Sequence, residues 1–202
     1  MALWSGPAAT PGRLASAWKL RGDTHIEETS ATEGRTAWRR DGSHAALLAP
    51  AVVPTSATFR LTYREHQAHL LSADADRDWL LGQTNCLLIT QPATVLATLA
   101  STGRAVRPED TGLPQQVEIF HHIFERTGVA PIVIDASDLL NDTERTLRAW
   151  CGRVGVEFLP AMLAGVASGS RDRMPRPGLP ASLRSVWAVC QPLYDQLYAE
   201  RV

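Results

Sequence analysis

Two short apolar runs, Asn85-Cys86-Leu87-Leu88-Ile89-Thr90 and Pro131-Ile132-Val133-Ile134-Asp135, constrain this chain more than any other feature. A strand with one wet face alternates apolar and polar residues, whereas a continuous apolar run of this length fits a strand buried on both faces of a parallel sheet. Parallel neighbours need crossovers, and helical patterns supply them. Pro92 takes the first position of a helix running to about Ser101, where a missing N–H costs least. Pro114–Arg126 is amphipathic through Val117, Ile119, Phe120, Ile123 and Phe124, and Gly128 follows as its C-terminal cap. Thr143–Val154 carries the stripe Leu147, Trp150, Cys151 and Val154, and a last helix spans about Ala181–Glu200. Thr58–Thr62 reads as a short strand leading into Tyr63-Arg64-Glu65-His66. Glu33–Ser56 reads as loop plus a short helix, and the Gly/Pro/Arg-rich stretch Gly165–Pro180 as the mobile loop of the chain.

The opening segment repeats the strand–helix theme. Met1–Trp4 leads into a Gly/Pro-rich turn, Ser5–Gly12, and then a helix with Leu14, Ala17, Trp18 and Arg21 at helical spacing. Thr10 is placed as N-cap and Pro11 as first helical residue. Thr24-His25-Ile26 reads as the second strand, ending in Glu27-Glu28. A strand, glycine turn and helix N-terminus offer backbone N–H groups to an anion. Yet the turn carries Ala8, Ala9, Pro11 and Gly12, with no lysine. It also fails the Walker spacing, because five residues separate Gly6 from Gly12 and Arg13-Leu14 follow. The element order predicts an α/β, three-layer sandwich, a central mostly parallel sheet flanked by helices, as a single domain over residues 1–202.

Composition narrows the classes. A formal net charge of −1 gives no argument for nucleic acid or an anionic membrane surface as partner. Nineteen arginines accompany a single lysine, Lys19, so a lysine-based phosphate clamp has one candidate. Three cysteines without CxxC spacing fit a reducing cytosol, and no signal peptide or membrane span is legible. A cytoplasmic protein is expected. His66 and His69 stand three apart beside Glu65, a spacing too weak to argue a metal, and they read as a packed pair with no metal expected. His121-His122 read as structural or solvent-facing. Glu27 and Glu28 leave a strand beside the anion loop, where ligands bind in open parallel sheets. Arg171, Arg173 and Arg176 read as solvated charges, with an anion-gripping lid as the sharper alternative.

The blocks SGP…RLASAWKLRGDT, YREHQAHLL, CLLITQPATVLATLAS, GLPQQVEIFHHIFERTG, PIVIDASDLLNDTERTLRAWCGRVGVEF and VWAVCQPLYDQLY follow one another as in bacterial sulfotransferase-like proteins of the P-loop superfamily. The chain resembles that family over most of its length outside Glu33–Thr58. The resemblance implies a sulfotransferase fold, whose active members take a sulfuryl group from PAPS (phosphoadenosine phosphosulfate). Ser101, His66 and His69 stand where the family expects them. Its Arg-Asn and Ser-Thr pairs in the first loop are replaced by Ala8-Ala9 and Pro11-Gly12. An Arg-Asp pair is replaced by Thr90-Gln91, and a usual Lys by Glu65. Binding of PAPS or its spent form PAP is therefore not expected, and no other cofactor is implied.

What remains is a cleft suited to an amine-bearing small molecule. Carboxylates hold or deprotonate an ammonium, so Glu28, Glu65 and His66 are the candidate catalytic groups. Arg13, Glu27, His69, Ser101, Thr10 and Gly12 are the candidates for holding substrate or a leaving anion. The resemblance extends to ring-forming sulfotransferase-like proteins of bacterial natural-product pathways. It implies displacement of a sulfate-type leaving group by an internal amine, closing an aziridine or azabicycle. A carrier-tethered substrate and a heterodimer with a sulfotransferase-like paralogue fit that setting. Two alternatives stand beside it. One is a non-catalytic subunit stabilising an active sulfotransferase; the other is a PAPS-dependent enzyme with contacts moved to Arg60, Arg64 or Arg104.

Overall fold

A computed structural model describes residues 1–7, 11–27, 61–167 and 179–202. Among these residues five strands occur, β1 (Ala2–Ser5), β2 (Thr24–Glu27), β3 (Leu61–Gln67), β4 (Asn85–Ile89) and β5 (Ile132–Asp135). They form one sheet in the order β2-β3-β1-β4-β5, and every pairing is parallel. β1 lies at the centre, with Leu3 opposite Glu65 on one side and opposite Cys86 on the other. The apolar runs behave as their composition requires, since all residues of β4 and β5 are buried.

Among the described residues seven helices connect and cover the strands: α1 (Pro11–Lys19), α2 (Pro92–Ala100), α3 (Leu113–Thr127), α4 (Ala136–Asn141), α5 (Thr143–Val154), α6 (Met162–Ala167) and α7 (Arg184–Ala199). On one face Trp4, Leu87, Ile89 and Val133 pack under Ile119, Phe120 and Ile123 of α3 and Cys190, Tyr194 and Leu197 of α7. On the other, Leu3, Tyr63, Cys86, Leu88 and Ile134 pack under Leu14, Ala17 and Trp18 of α1 and Leu147 and Trp150 of α5. Trp18 and Trp150 meet edge to face at 4.9 Å, and Trp150 Nε1 donates to Cys86 Sγ at 3.1 Å. The expected three-layer α/β sandwich is what the chain forms. Among the described residues no helix is long and apolar enough to cross a membrane.

Local signals explain the helix ends. Pro11 and Pro92 open α1 and α2, and Gly128 closes α3 in the left-handed conformation at φ 70°, which favours glycine. Asp142 caps α5, accepting from the Arg145 N–H.

Three expectations are corrected. The strand expected at Thr58–Thr62 continues past Thr62 to Gln67, so Tyr63-Arg64-Glu65-His66 lies within it, while residues 58–60 lie outside the described residues. Its polar sequence hides a strand hydrogen-bonded on both edges, whose burial falls on Tyr63 and His66. The loop expected from Gly165 is still helical through Ala167, because α6 is pressed onto α1; residues 168–178 lie outside the described set. The last helix begins as a 3-10 turn, Ala181–Leu183, before α7, and it accommodates Pro192 in its interior. Glu33–Ser56 lies outside the described residues.

Gly165 shows how close α6 and α1 are. A Cβ there would sit 2.3 Å from Ala17 N and 2.5 Å from Ala17 Cα, and backbone cannot yield as a side chain can. Gly165→Ala is expected to lower stability by about 1–3 kcal/mol in urea denaturation, the usual range for overpacking. An unchanged midpoint would show that the two helices are not in backbone contact.

Candidate functional site

The strand order places a topological switch at β1. The chain leaves β1 toward β2 on one side, and β4 and β5 are added on the other. In open parallel sheets ligands bind outside the carboxyl ends of the strands at such a point. Here those ends are Ser5, Gln67, Ile89 and Asp135.

On the face covered by α3 and α7 the chain fills this edge itself. Gly6 follows β1, and a Cβ on it would lie 2.7 Å from the carbonyl oxygen of Thr111. Gly112 adopts φ 78°; a Cβ there would lie 3.1 Å from His69 N and 3.5 Å from Gly6 Cα. The Thr111-Gly112 turn is thus wedged between the ends of β1 and β3, and both glycines are needed for it. Behind the wedge the Gln116 side-chain amide donates to Trp4 O and to Leu88 O, at 3.0 Å each. At the end of β5, Asp135 Oδ1 accepts from the N–H groups of Ser137 and Asp138, and Oδ2 accepts from the Tyr194 hydroxyl at 2.9 Å. Gln91 also meets that hydroxyl. Burial raises the Asp135 carboxyl while these donors pull it down, and it pushes the Tyr194 hydroxyl well above its usual range. Sequence reading missed Gln116, Asp135 and Tyr194. Asp135 had one visible signal, its place at a strand end just before a helix.

Glu65 and His66 are neighbours on β3, so strand alternation sends them to opposite faces. The Glu65 side chain stands on the α1 face, where Oε1 accepts from the Tyr63 hydroxyl at 3.0 Å. The His66 imidazole is buried on the α3 face, stacked on Trp4 at 4.5 Å and edge-on to Trp79 at 5.8 Å. The structure does not bring these two together. His69 sits in a 3-10 turn, Ala68–Leu70, half-buried under the wedge, with Nδ1 unpartnered among the described residues. Among the described residues no group of three or more potential metal ligands occurs.

The remaining candidates fall in several places. Arg13 sits in the first turn of α1, its Nη1 3.4 Å from Val166 O at the end of α6, so it links the two helices. Gly12 is exposed, its carbonyl accepts from Ser16 Oγ, and a Cβ on it would meet nothing within 4 Å. Ser101 is exposed beyond the last turn of α2, its hydroxyl bonded to Thr98 O, about 14 Å along the helix from the edge of β4. Glu27 closes β2 opposite Arg64, and its side chain is outside the described set, as are Thr10 and Glu28. Of the alternative cationic contacts, Arg64 shares the His66 face of β3 by alternation, Arg104 is in the exposed segment after α2, and Arg60 is outside the described residues.

Several positions that the resemblance singled out carry no free cation among the described residues. Thr90 Oγ1 is buried just past β4 and Gln91 follows it, Glu65 Oε1 accepts from Tyr63, and Arg13 Nη1 lies 3.4 Å from Val166 O. Residues 41–174 match the protein family described as "Sulfotransferase domain". No curated protein matches the chain. Among solved structures, the sulfotransferase domain from the curacin biosynthetic pathway aligns with all of this chain and 90% of its own, at 11% identity and a TM-score of 0.49.

The His69 imidazole gives a pH signature. Burial holds it below the ordinary value of 6.5, against a smaller upward pull from Asp110. The unfolded chain therefore binds the proton more readily, and the stability gained by a neutral His69 is full above about pH 6.5 and lost as pH falls. In thermal melts between pH 7 and 5, His69→Gln is expected to flatten the decline of the wild type; parallel curves would count against it.

Proposed function

The chain belongs to the sulfotransferase domain family, and on that premise we propose that it is a derived member whose cleft takes an amine-bearing small molecule instead of PAPS. The observation that carries this reading is Glu65. Its carboxylate stands near the carboxyl end of β3 on the face of α1, in a register beside β1 and its following turn. A unit charge 4 Å away interacts by about 4 kcal/mol at an effective dielectric of 20. That magnitude favours an ammonium at this place and opposes a sulfate or phosphate to the same extent. The sequence puts no cationic side chain at Ala8, Ala9, Pro11 or Gly12.

The reaction in this reading is intramolecular displacement. Glu65 accepts a proton from the substrate ammonium, and the nitrogen lone pair attacks the carbon that carries a sulfate ester. The carbon–oxygen bond breaks, sulfate leaves with the electron pair, and a protonated ring amine remains. Positioning supplies most of the acceleration in such a closure. A sulfotransferase-like partner would install the leaving group, in bacterial secondary metabolism. The second reading, a non-catalytic subunit that stabilises an active sulfotransferase, is favoured by the wedge at Thr111-Gly112 and the Gln116 bonds, which fill one side of the strand ends.

Titration calorimetry separates these. PAP is expected to give no heat of binding at micromolar concentrations, and micromolar affinity would overturn the reading. A sulfated amino alcohol is expected to bind, and Glu65→Gln to weaken it by about tenfold or more, some 1.4 kcal/mol. Equal affinity in both proteins would remove Glu65 from the site.

A further inference from the structure

We propose that Tyr63 is the positioning residue for Glu65: a phenol fixed in the core grips the carboxylate that the cleft uses, an inference that rests on the reading of Glu65 above. The two side chains are two residues apart on β3 and so share a face. Tyr63 is fully buried among the α1-face core, while Glu65 is only partly buried. The phenol thus reaches from the packed interior to the rim. Its hydroxyl donates to Glu65 Oε1 at 3.0 Å.

This pairing has a direction. Burial first, and the nearby Glu65 charge second, push the Tyr63 hydroxyl well above its usual range, so it stays protonated and acts as donor. The thiol of Cys86, the other titratable group acting on it, is pushed up to about 12 by burial and is neutral. A rigid aromatic ring loses little freedom in holding this bond, because packing has already fixed it. One carboxylate oxygen is therefore anchored by the core, and the orientation of the second follows from the first. The same bond stabilises the charged carboxylate over the acid. Tyr63 touches neither substrate nor reacting atoms in this account; it acts through Glu65.

The test uses the full chain with carbon-13 in the glutamate carboxyl groups. Glu65→Gln identifies the Glu65 resonance by its disappearance. In Tyr63→Phe, which keeps the ring, the Glu65 signal is expected to shift and its titration midpoint to rise by about half a unit or more. As a reciprocal measurement, Glu65→Gln is expected to move the Cζ resonance of Tyr63 in tyrosine-labelled protein. A Glu65 signal and midpoint unchanged in Tyr63→Phe, or an unmoved Tyr63 Cζ in Glu65→Gln, would overturn the inference. Calorimetry with the sulfated amino alcohol separates the two layers. Weakening in both Glu65→Gln and Tyr63→Phe supports positioning for binding. A shifted Glu65 resonance with affinity unaltered in both variants would keep the pair and overturn the amine-site reading.

Discussion

The side-chain amide of Gln116 fastens the fold where it matters. One group bonds the carbonyls of Trp4 and Leu88, which belong to adjacent central strands, and so ties α3 to the carboxyl ends of β1 and β4. Buried carbonyls at the end of a parallel ladder need partners, and a neutral amide supplies them without bringing in charge. The rest of that edge follows. With the start of α3 held against the sheet, the turn before it must pass between Gly6 and Ala68-His69, which leaves no room for a side chain at Gly6 or Gly112. Trp4 is then enclosed from all sides, donating to Asn85 Oδ1 at 3.2 Å and stacking on His66.

Such an arrangement makes the two faces of the sheet unequal. The face of α3 and α7 meets the strand ends with fully engaged groups, Gln116, Asp135 and Tyr194. The face of α1 meets them with Glu65, held by the Tyr63 hydroxyl. The site proposed for this edge lies on the second face, and adjacency in sequence is a poor guide to it. His66 follows Glu65 directly, yet the pleat commits it to the aromatic core.

Much of the architecture was legible because it is written in local patterns. The apolar runs of β4 and β5, the stripe of α5 and the glycine that ends α3 each carry their own signal. β3 was half legible: Leu-Thr-Tyr-Arg-Glu-His-Gln has no apolar run, and its membership depends on neighbours far along the chain. The site was less legible still. Arg13 reads as an anion ligand from its place after a glycine turn, and nothing local foretells that it also approaches the end of α6, over one hundred and fifty residues away. Glycines 6, 112 and 165 look like ordinary punctuation until the backbone opposite each is known. The Tyr63–Glu65 pair, by contrast, lies in plain sight at i and i+2, and becomes visible once the strand boundaries are right.

The outer edge of β5 carries one more consequence. Val202 N donates to Val133 O at 3.0 Å, and Arg201, bridged to Asp138 at 2.8 Å and lying over the Tyr198 ring, keeps that segment in place. An uncovered strand edge is a template on which another chain can continue the sheet. Here the chain occupies part of its own template, so growth of the sheet past β5 would require a competitor to peel away a residue held by both charge and ring contacts.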